Sequence, residues 1–168
     1  MFAAHTLESA PPESQPAMRA VKEEFGVLPD AVGRLAHSPE LLNGFLALSA
    51  GFESGTLDAL SQETVAMAVS VRNQCHICIG IHTARLRKLP APPEVIAALR
   101  EARPLPDPRL EALRTFTLAT MATAGAVEDA TLNSLLAHGY TERNALEVVL
   151  GIGVYTLTTL ANRLTGAV

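Results

Sequence analysis

Between Ser61 and Val71 the chain offers almost no polar face. Val65, Ala66, Met67, Ala68, Val69 and Val71 follow so closely that, at 3.6 residues per turn, they point in nearly every direction. A helix of that kind is stable only inside a jacket of other helices, so the pattern predicts a central, buried element. The chain around it supplies the jacket. Hydrophobic residues make up 48% of the chain but aromatic ones only 4%, which favours a core of packed Ala, Leu and Val helices. No convincing alternating strand interrupts the helical periodicity, and the chain reads as all-α.

Helix starts and stops are written in proline, glycine and capping residues. Residues 1–15 are rich in Pro, Ser, Glu and Ala without periodicity, and read as a flexible N-terminal arm. Residues 16–168 read as one helical domain. A short helix is expected from Ala17 to Phe25, closed by Gly26, and another carries Val32, Leu35 and Ala36. Ser38-Pro39 starts a helix running to about Phe52, and Ser61 is expected to cap the central helix. A break at Arg72-Asn73-Gln74 precedes a helix from about Cys75. Pro92-Pro93 starts the next, Asp107-Pro108 a long one, Asp129 a short one and Thr141 the last, in which Gly151 and Gly153 are expected to permit a bend or close packing. Setting Ser61 against Thr141 aligns two capped, apolar helices. On that echo the first half, about 16–103, holds the chemistry and the second, about 104–168, is scaffold.

The chemistry sits beside the central helix. Both cysteines of the chain, Cys75 and Cys78, form a C-x-x-C pair, His82 follows one turn after Cys78, and Glu63 is the acid in the apolar run upstream. If the segment from Cys75 is helical, Cys75, Cys78 and His82 project from one face. Thiols in a first helical turn meet unpaired N–H groups and the positive end of the dipole, which favours thiolate. His82 can take a thiol proton and Glu63 can orient the imidazole. An oxidised sulfur on one cysteine can then condense with the other to a disulfide, which a dithiol reopens by exchange.

Other readings of the same residues stand beside this one. The cysteines could be small buried hydrophobes. Zinc could be held by Cys75, Cys78 and His82 with His76 or Glu63, although a second well-spaced ligand couple is missing. A thioredoxin-type site wants a strand before the motif, and the segment here is helical. His76 reads as a rim residue, and Tyr140 and Tyr155 as core or interface residues.

Charge and hydropathy bound the partners. The net charge of −4 without a basic run argues against nucleic acid. No apolar run looks long enough for a bilayer, and the start lacks the regions of a signal peptide. The expected setting is therefore the cytoplasm, where a C-x-x-C is redox-active or metal-binding rather than a staple. Charged residues amount to only 18%, which suggests surface buried against another subunit.

The pattern E-x(11)-C-x-x-C-x-x-x-H, formed by Glu63, Cys75, Cys78 and His82, resembles the AhpD-like alkylhydroperoxidases of the carboxymuconolactone decarboxylase superfamily. The lead-in L-S-Q-E-T-V-A-M-A-V-S, the Asn73-x-Cys75 step and Asn162-Arg163 are also similar. The resemblance is close over Ser61 to Leu89 and general over Phe25 to Leu164. It implies an all-α AhpD-like fold with a duplicated helical plan, assembling as trimers, hexamers or larger homo-oligomers, without cofactor or metal. It implies a peroxidase in which Cys78 attacks the peroxide, Cys75 resolves the sulfenic acid, and Glu63 and His82 relay the proton. The dithiol reductant it implies is a lipoyl-bearing protein. One departure is that Ile77 precedes the second cysteine where members carry Tyr, Ser or His, with His76 one place earlier. The decarboxylase branch lacks paired cysteines. Two alternatives to the peroxidase are a non-peroxidatic thiol–disulfide oxidoreductase or redox sensor, and a cofactor-free decarboxylase or isomerase of a small lactone using Glu63 and His82.

Overall fold

Capping chemistry decides where the helices begin. The computed structural model describes residues 2–167; Met1 of the expected arm and Val168 of the expected domain lie outside them. In chain order the helices are α1 (Gln15–Phe25), α2 (Asp30–Leu35), α3 (Pro39–Glu53), α4 (Ala59–Arg72), α5 (His76–Leu86), α6 (Pro93–Arg100), α7 (Pro108–Ala122), α8 (Asp129–Ala137) and α9 (Glu142–Thr165). Among the described residues there is no strand.

Ser38 accepts from the Leu41 amide at the start of α3, and Asp107 accepts from the amides of Arg109 and Leu110 at the start of α7. Thr141 and Asn144 close a reciprocal capping box on α9. Gly26 ends α1 at φ +76°, a conformation open to a residue without Cβ. Two starts differ from expectation. The cap of α4 is Asp58, whose carboxylate accepts from the Ser61 amide at 2.9 Å and the Ser61 hydroxyl at 2.8 Å. Both residues are good caps, but only the aspartate has acceptors enough for both bonds while Ser61 is buried against Tyr140. Likewise α8 is preceded by Glu128, and Asp129 lies in its first turn.

The central helix is α4. Its residues from Glu63 to Ser70 are all buried. On one side Val65 and Val69 join Phe52 of α3, Leu113 and Phe116 of α7 and Val148 of α9. On another, Met67 packs with Leu86 of α5, Val95 and Leu99 of α6 and Leu110 of α7. A third cluster joins Met18, Leu35 and Leu42 to Ala161 of α9 and to Ala10.

That third cluster overturns the reading of residues 1–15 as a flexible arm. Ala10 and Ser14 are buried, the Ser14 hydroxyl donates to the Ala36 carbonyl at 2.9 Å, and the His5 amide donates to Gly33 at 3.0 Å. A segment without periodicity has folded as irregular chain, because its backbone groups and a few apolar side chains find partners on α1–α3.

In α9 the glycines leave the helix unbroken over 24 residues, and Gly151 serves the close packing expected of it. A Cβ on Gly151 would stand 2.7 Å from the Phe52 ring and 3.0 Å from Val65, so this glycine lets α9 approach α3 and α4 closely. Gly153 faces open space. This same helix corrects the bilayer expectation: its length and mean hydropathy of 1.4 over 18 residues suffice to cross a membrane. It packs as a core helix, burying Asn144, Glu147, Thr158, Thr159 and Asn162 inside the fold.

Candidate active site

The break between α4 and α5 creates the site. Gln74 takes φ +54°, and the chain doubles back so that the Cys75 amide donates to the Ser70 carbonyl at 3.0 Å. Cys75 becomes the N-cap residue of α5, and Cys78 is its third residue. Both sulfurs therefore lie where four backbone N–H groups lack helical partners and the dipole is positive. The Cα atoms are 5.3 Å apart and the two sulfurs are joined as a disulfide.

The turn itself is held by α9. The Asn73 side chain donates to the Thr159 hydroxyl at 2.9 Å, and Arg163 donates to the Asn73 carbonyl. Asn73, two residues before the disulfide, is thus tied to the last helix through both its side chain and its carbonyl.

His82 lies one turn beyond Cys78, and its Nδ1 meets Glu63 Oε2 at 2.8 Å. Both groups are buried, at 6% and 7% exposure, so the bond is sheltered from water. A carboxylate at Nδ1 selects the tautomer with its proton there and leaves Nε2 as the proton acceptor. The other carboxylate oxygen, Oε1, lies 3.5 Å from Arg85, whose guanidinium also donates to Glu53 at 3.1 Å. Burial works to lower the Arg85 pKa, but the charges of Glu63 and Glu53 outweigh it and raise the pKa above the ordinary value.

The structure places the expected residues on two packed helices: Glu63 in the first turns of α4, Cys75 and Cys78 at the start of α5, and His82 within α5 against Glu63. It also adds groups that sequence reasoning placed elsewhere. The Tyr155 ring meets His82 edge to face with centroids 4.9 Å apart, and meets Phe52 in the same manner at 5.7 Å. Burial, then the negative charge of Glu63, raise the Tyr155 pKa well above the ordinary phenol value, so the hydroxyl keeps its proton. Asn162 donates from Nδ2 to Cys78 Sγ at 3.4 Å. Both belong to the half expected to be scaffold alone. The available signals were the echo, which sets Tyr155 against Cys75 and Asn162 against His82, and the family likeness of Asn162-Arg163.

A cleft of about 390 Å³ opens beside this arrangement, lined by Glu53, Gln62, Glu63, Arg85, Lys88 and Tyr155. Glu63 lines this cleft, whereas His82 and the two cysteines do not. His76 is exposed, and Ile77 precedes Cys78 without a titratable group. Glu63 is already engaged by His82 and Arg85. Among the described residues no three His, Cys, Asp or Glu side chains converge as a metal site would require.

Comparison with known families and structures agrees with this architecture. The model of the carboxymuconolactone decarboxylase family matches residues 39–116. An uncharacterised peroxidase-related protein with an AhpD core from Ralstonia eutropha superposes with a TM-score of 0.83 at 23% identity, over 98% of this chain and 90% of that one. A peroxidase-related protein from a Silicibacter species gives 0.79 at 25% identity over the same shares, 98% and 90%. The debrominase Bmp8, crystallised with a tribromopyrrole, gives 0.79 at 16% identity over 99% and 89%. Comparison with curated proteins by sequence finds no match.

Proposed function

We propose that this chain, whose residues 39–116 match the carboxymuconolactone decarboxylase family and whose fold is AhpD-like, reduces alkyl hydroperoxides through a Cys75–Cys78 dithiol/disulfide cycle. The observation that carries the reading is a joined C-x-x-C pair with a sheltered imidazole–carboxylate bond one turn away. Cys78 thiolate attacks the outer oxygen of the hydroperoxide and the O–O bond breaks. The alkoxide takes a proton delivered through His82, leaving Cys78 as sulfenic acid. Cys75 thiolate then attacks Cys78 Sγ, and hydroxide leaves as water with a second proton. Glu63 holds the imidazole in position and passes its charge to the cleft, where protons are exchanged. Peroxide has then gained two electrons and the protein has lost two.

A dithiol must return those electrons. Cys75 and Cys78 are 2% and 5% exposed, which favours a slender dithiol such as a lipoyl arm over a folded protein's thiol. The cycle calls for a reducing compartment such as the cytoplasm.

A homo-oligomer fits the outer face of α9. Leu146 and Leu164 are 72% and 75% exposed, and Val149 and Leu160 lie on the same stripe. Exposed apolar side chains at helical spacing are what a subunit contact would cover. Light scattering should give a mass of three or more chains, and a monomer at working concentration would remove this part of the reading.

The main test is turnover of an organic hydroperoxide with a dithiol. Cys78→Ser should reduce it to background, and unchanged turnover would remove the mechanism. Activity on a lactone with both thiols blocked would instead support acid–base chemistry by Glu63 and His82.

A further inference from the structure

We propose that Asn162 is a catalytic residue at the sulfur, whose side-chain N–H stabilises Cys78 as thiolate and leaves Cys75 without such help. This rests on the redox reading above and adds to it a residue from the last helix.

The geometry is one-sided. Asn162 Nδ2 reaches Cys78 Sγ at 3.4 Å, and Cys75 has no side-chain donor of this kind among the described residues. The amide is rigid in its place: Asn162 is 5% exposed on a continuous helix, one turn after buried Thr158. Thr158 turns its hydroxyl back to the Val154 and Tyr155 carbonyls, so it does not compete for the sulfur.

The other end of the amide shows what the residue is not for. Asn162 Oδ1 is buried and has no hydrogen-bond partner. A buried unpaired carbonyl is destabilising. An asparagine kept for packing would have both ends satisfied, or would be better as leucine. The amide is not free to relieve the carbonyl by turning over, because that would set oxygen lone pairs against a sulfur that has no hydrogen. The site thus retains an unfavourable carbonyl together with a donor aimed at one sulfur.

In the disulfide that donor meets a weak acceptor. When a dithiol opens the bond, the same N–H faces a full negative charge on Cys78, and the hydrogen bond becomes charge-assisted. It adds to the helix N-terminus, which both cysteines share, and so separates their acidities.

The test uses the reduced, full-length protein with Cys75→Ser, so that Cys78 is the only thiol. Its alkylation rate by iodoacetamide is followed against pH, with Asn162 intact or changed to Leu. Asn162→Leu should move the midpoint up by about one pH unit or more, so that alkylation below both midpoints slows about tenfold. The melting temperature should stay level or rise, which a purely structural asparagine would not allow. In the Cys78→Ser background the Cys75 profile should stay put. An unmoved Cys78 midpoint, or an equal shift at Cys75, overturns the proposal. If Asn162→Leu does not fold, Asn162→Asp decides: a carboxylate at the sulfur should raise the midpoint further, and an unmoved one overturns the proposal equally. Alkylation needs no peroxide. A shifted midpoint in a protein that consumes no hydroperoxide would therefore remove the proposed activity and leave this assignment standing.

Discussion

The pair α4–α5 and the single helix α9 start alike and diverge at one place. Both begin at an oxygen cap and run apolar, and each buries a glutamate: Glu63 in the first, Glu147 in the second. The first then breaks at Gln74, while the second continues through the corresponding position as an unbroken helix. The break produces a helix N-terminus at Cys75, and with it the unpaired N–H groups that suit sulfur anions. Continuity produces a rigid rod, which grips the break through Thr159 and Arg163.

The two glutamates sharpen the contrast. Glu147 accepts from the Thr56 and Leu57 amides at 2.9 and 3.0 Å, from the Thr56 hydroxyl and from Asn144. Burial pushes its pKa up, but these bonds, the Thr56 amide foremost, pull it below the ordinary value. It is a staple between α9 and the segment before α4. Glu63 instead meets an imidazole and a guanidinium beside a cleft. A buried carboxylate held by fixed backbone donors stabilises the fold, whereas one whose partner can lose or gain a proton can take part in chemistry.

Exchanging each carboxylate for its amide tests that distinction. The largest effect is expected from Glu63→Gln, which should lower kcat/KM for hydroperoxide by about 10²–10⁴-fold while the melting temperature changes little. A loss below threefold would mean that His82 works without an orienting acid. Glu147→Gln should do the reverse. Its NH2 would face backbone N–H donors, costing about 1–3 kcal/mol of stability, with kcat within about twofold of the parent. Chemical denaturation with parallel kinetics separates the two outcomes, and a kinetic collapse without loss of stability would erase the contrast.

The pH dependence of folding follows with its own sign. Glu147 has a folded pKa below its unfolded one, so its contribution is present above the ordinary glutamate value of 4.5 and is lost as pH falls through the folded value. Acid unfolding of Glu147→Gln should therefore be flatter than that of the parent below about pH 4.5; parallel curves would show that other carboxylates dominate. The smallest effect is expected from Tyr155→Phe. The ring edge on His82 is kept and only the protonated hydroxyl is lost, so turnover should stay within about twofold. A larger drop would bring the hydroxyl into the proton path.

Much of the helical frame was legible because its signals are local. Ser38, Asp107 and Thr141 mark starts, and Gly26 marks an end, through dihedral and hydrogen-bond preferences that act within a turn. The four residues of the motif were legible for the same reason: spacing on one or two helices sets which side chains share a face. Asp58 was missed as a cap because two capping residues three apart compete, and burial of Ser61 against Tyr140 decided between them. The N-terminal segment was misread because irregular chain has no period, although its amides and apolar side chains find partners on α1–α3.

The chain's order of residues was enough to determine an all-helical frame around one apolar helix, and a thiol pair with an imidazole one turn beyond it. Only the tertiary structure decided that α9 would bring Asn162 to Cys78, Tyr155 to His82 and Thr159 to the turn, and that Arg85 would bridge two glutamates. The widest of those meetings, Thr159 with Asn73, joins residues 86 positions apart. They depend on how closely two helices approach, which Gly151 sets against Phe52 and Val65. Local preference acts over a turn of backbone, whereas the packing of one helix on another is settled by the shapes of both.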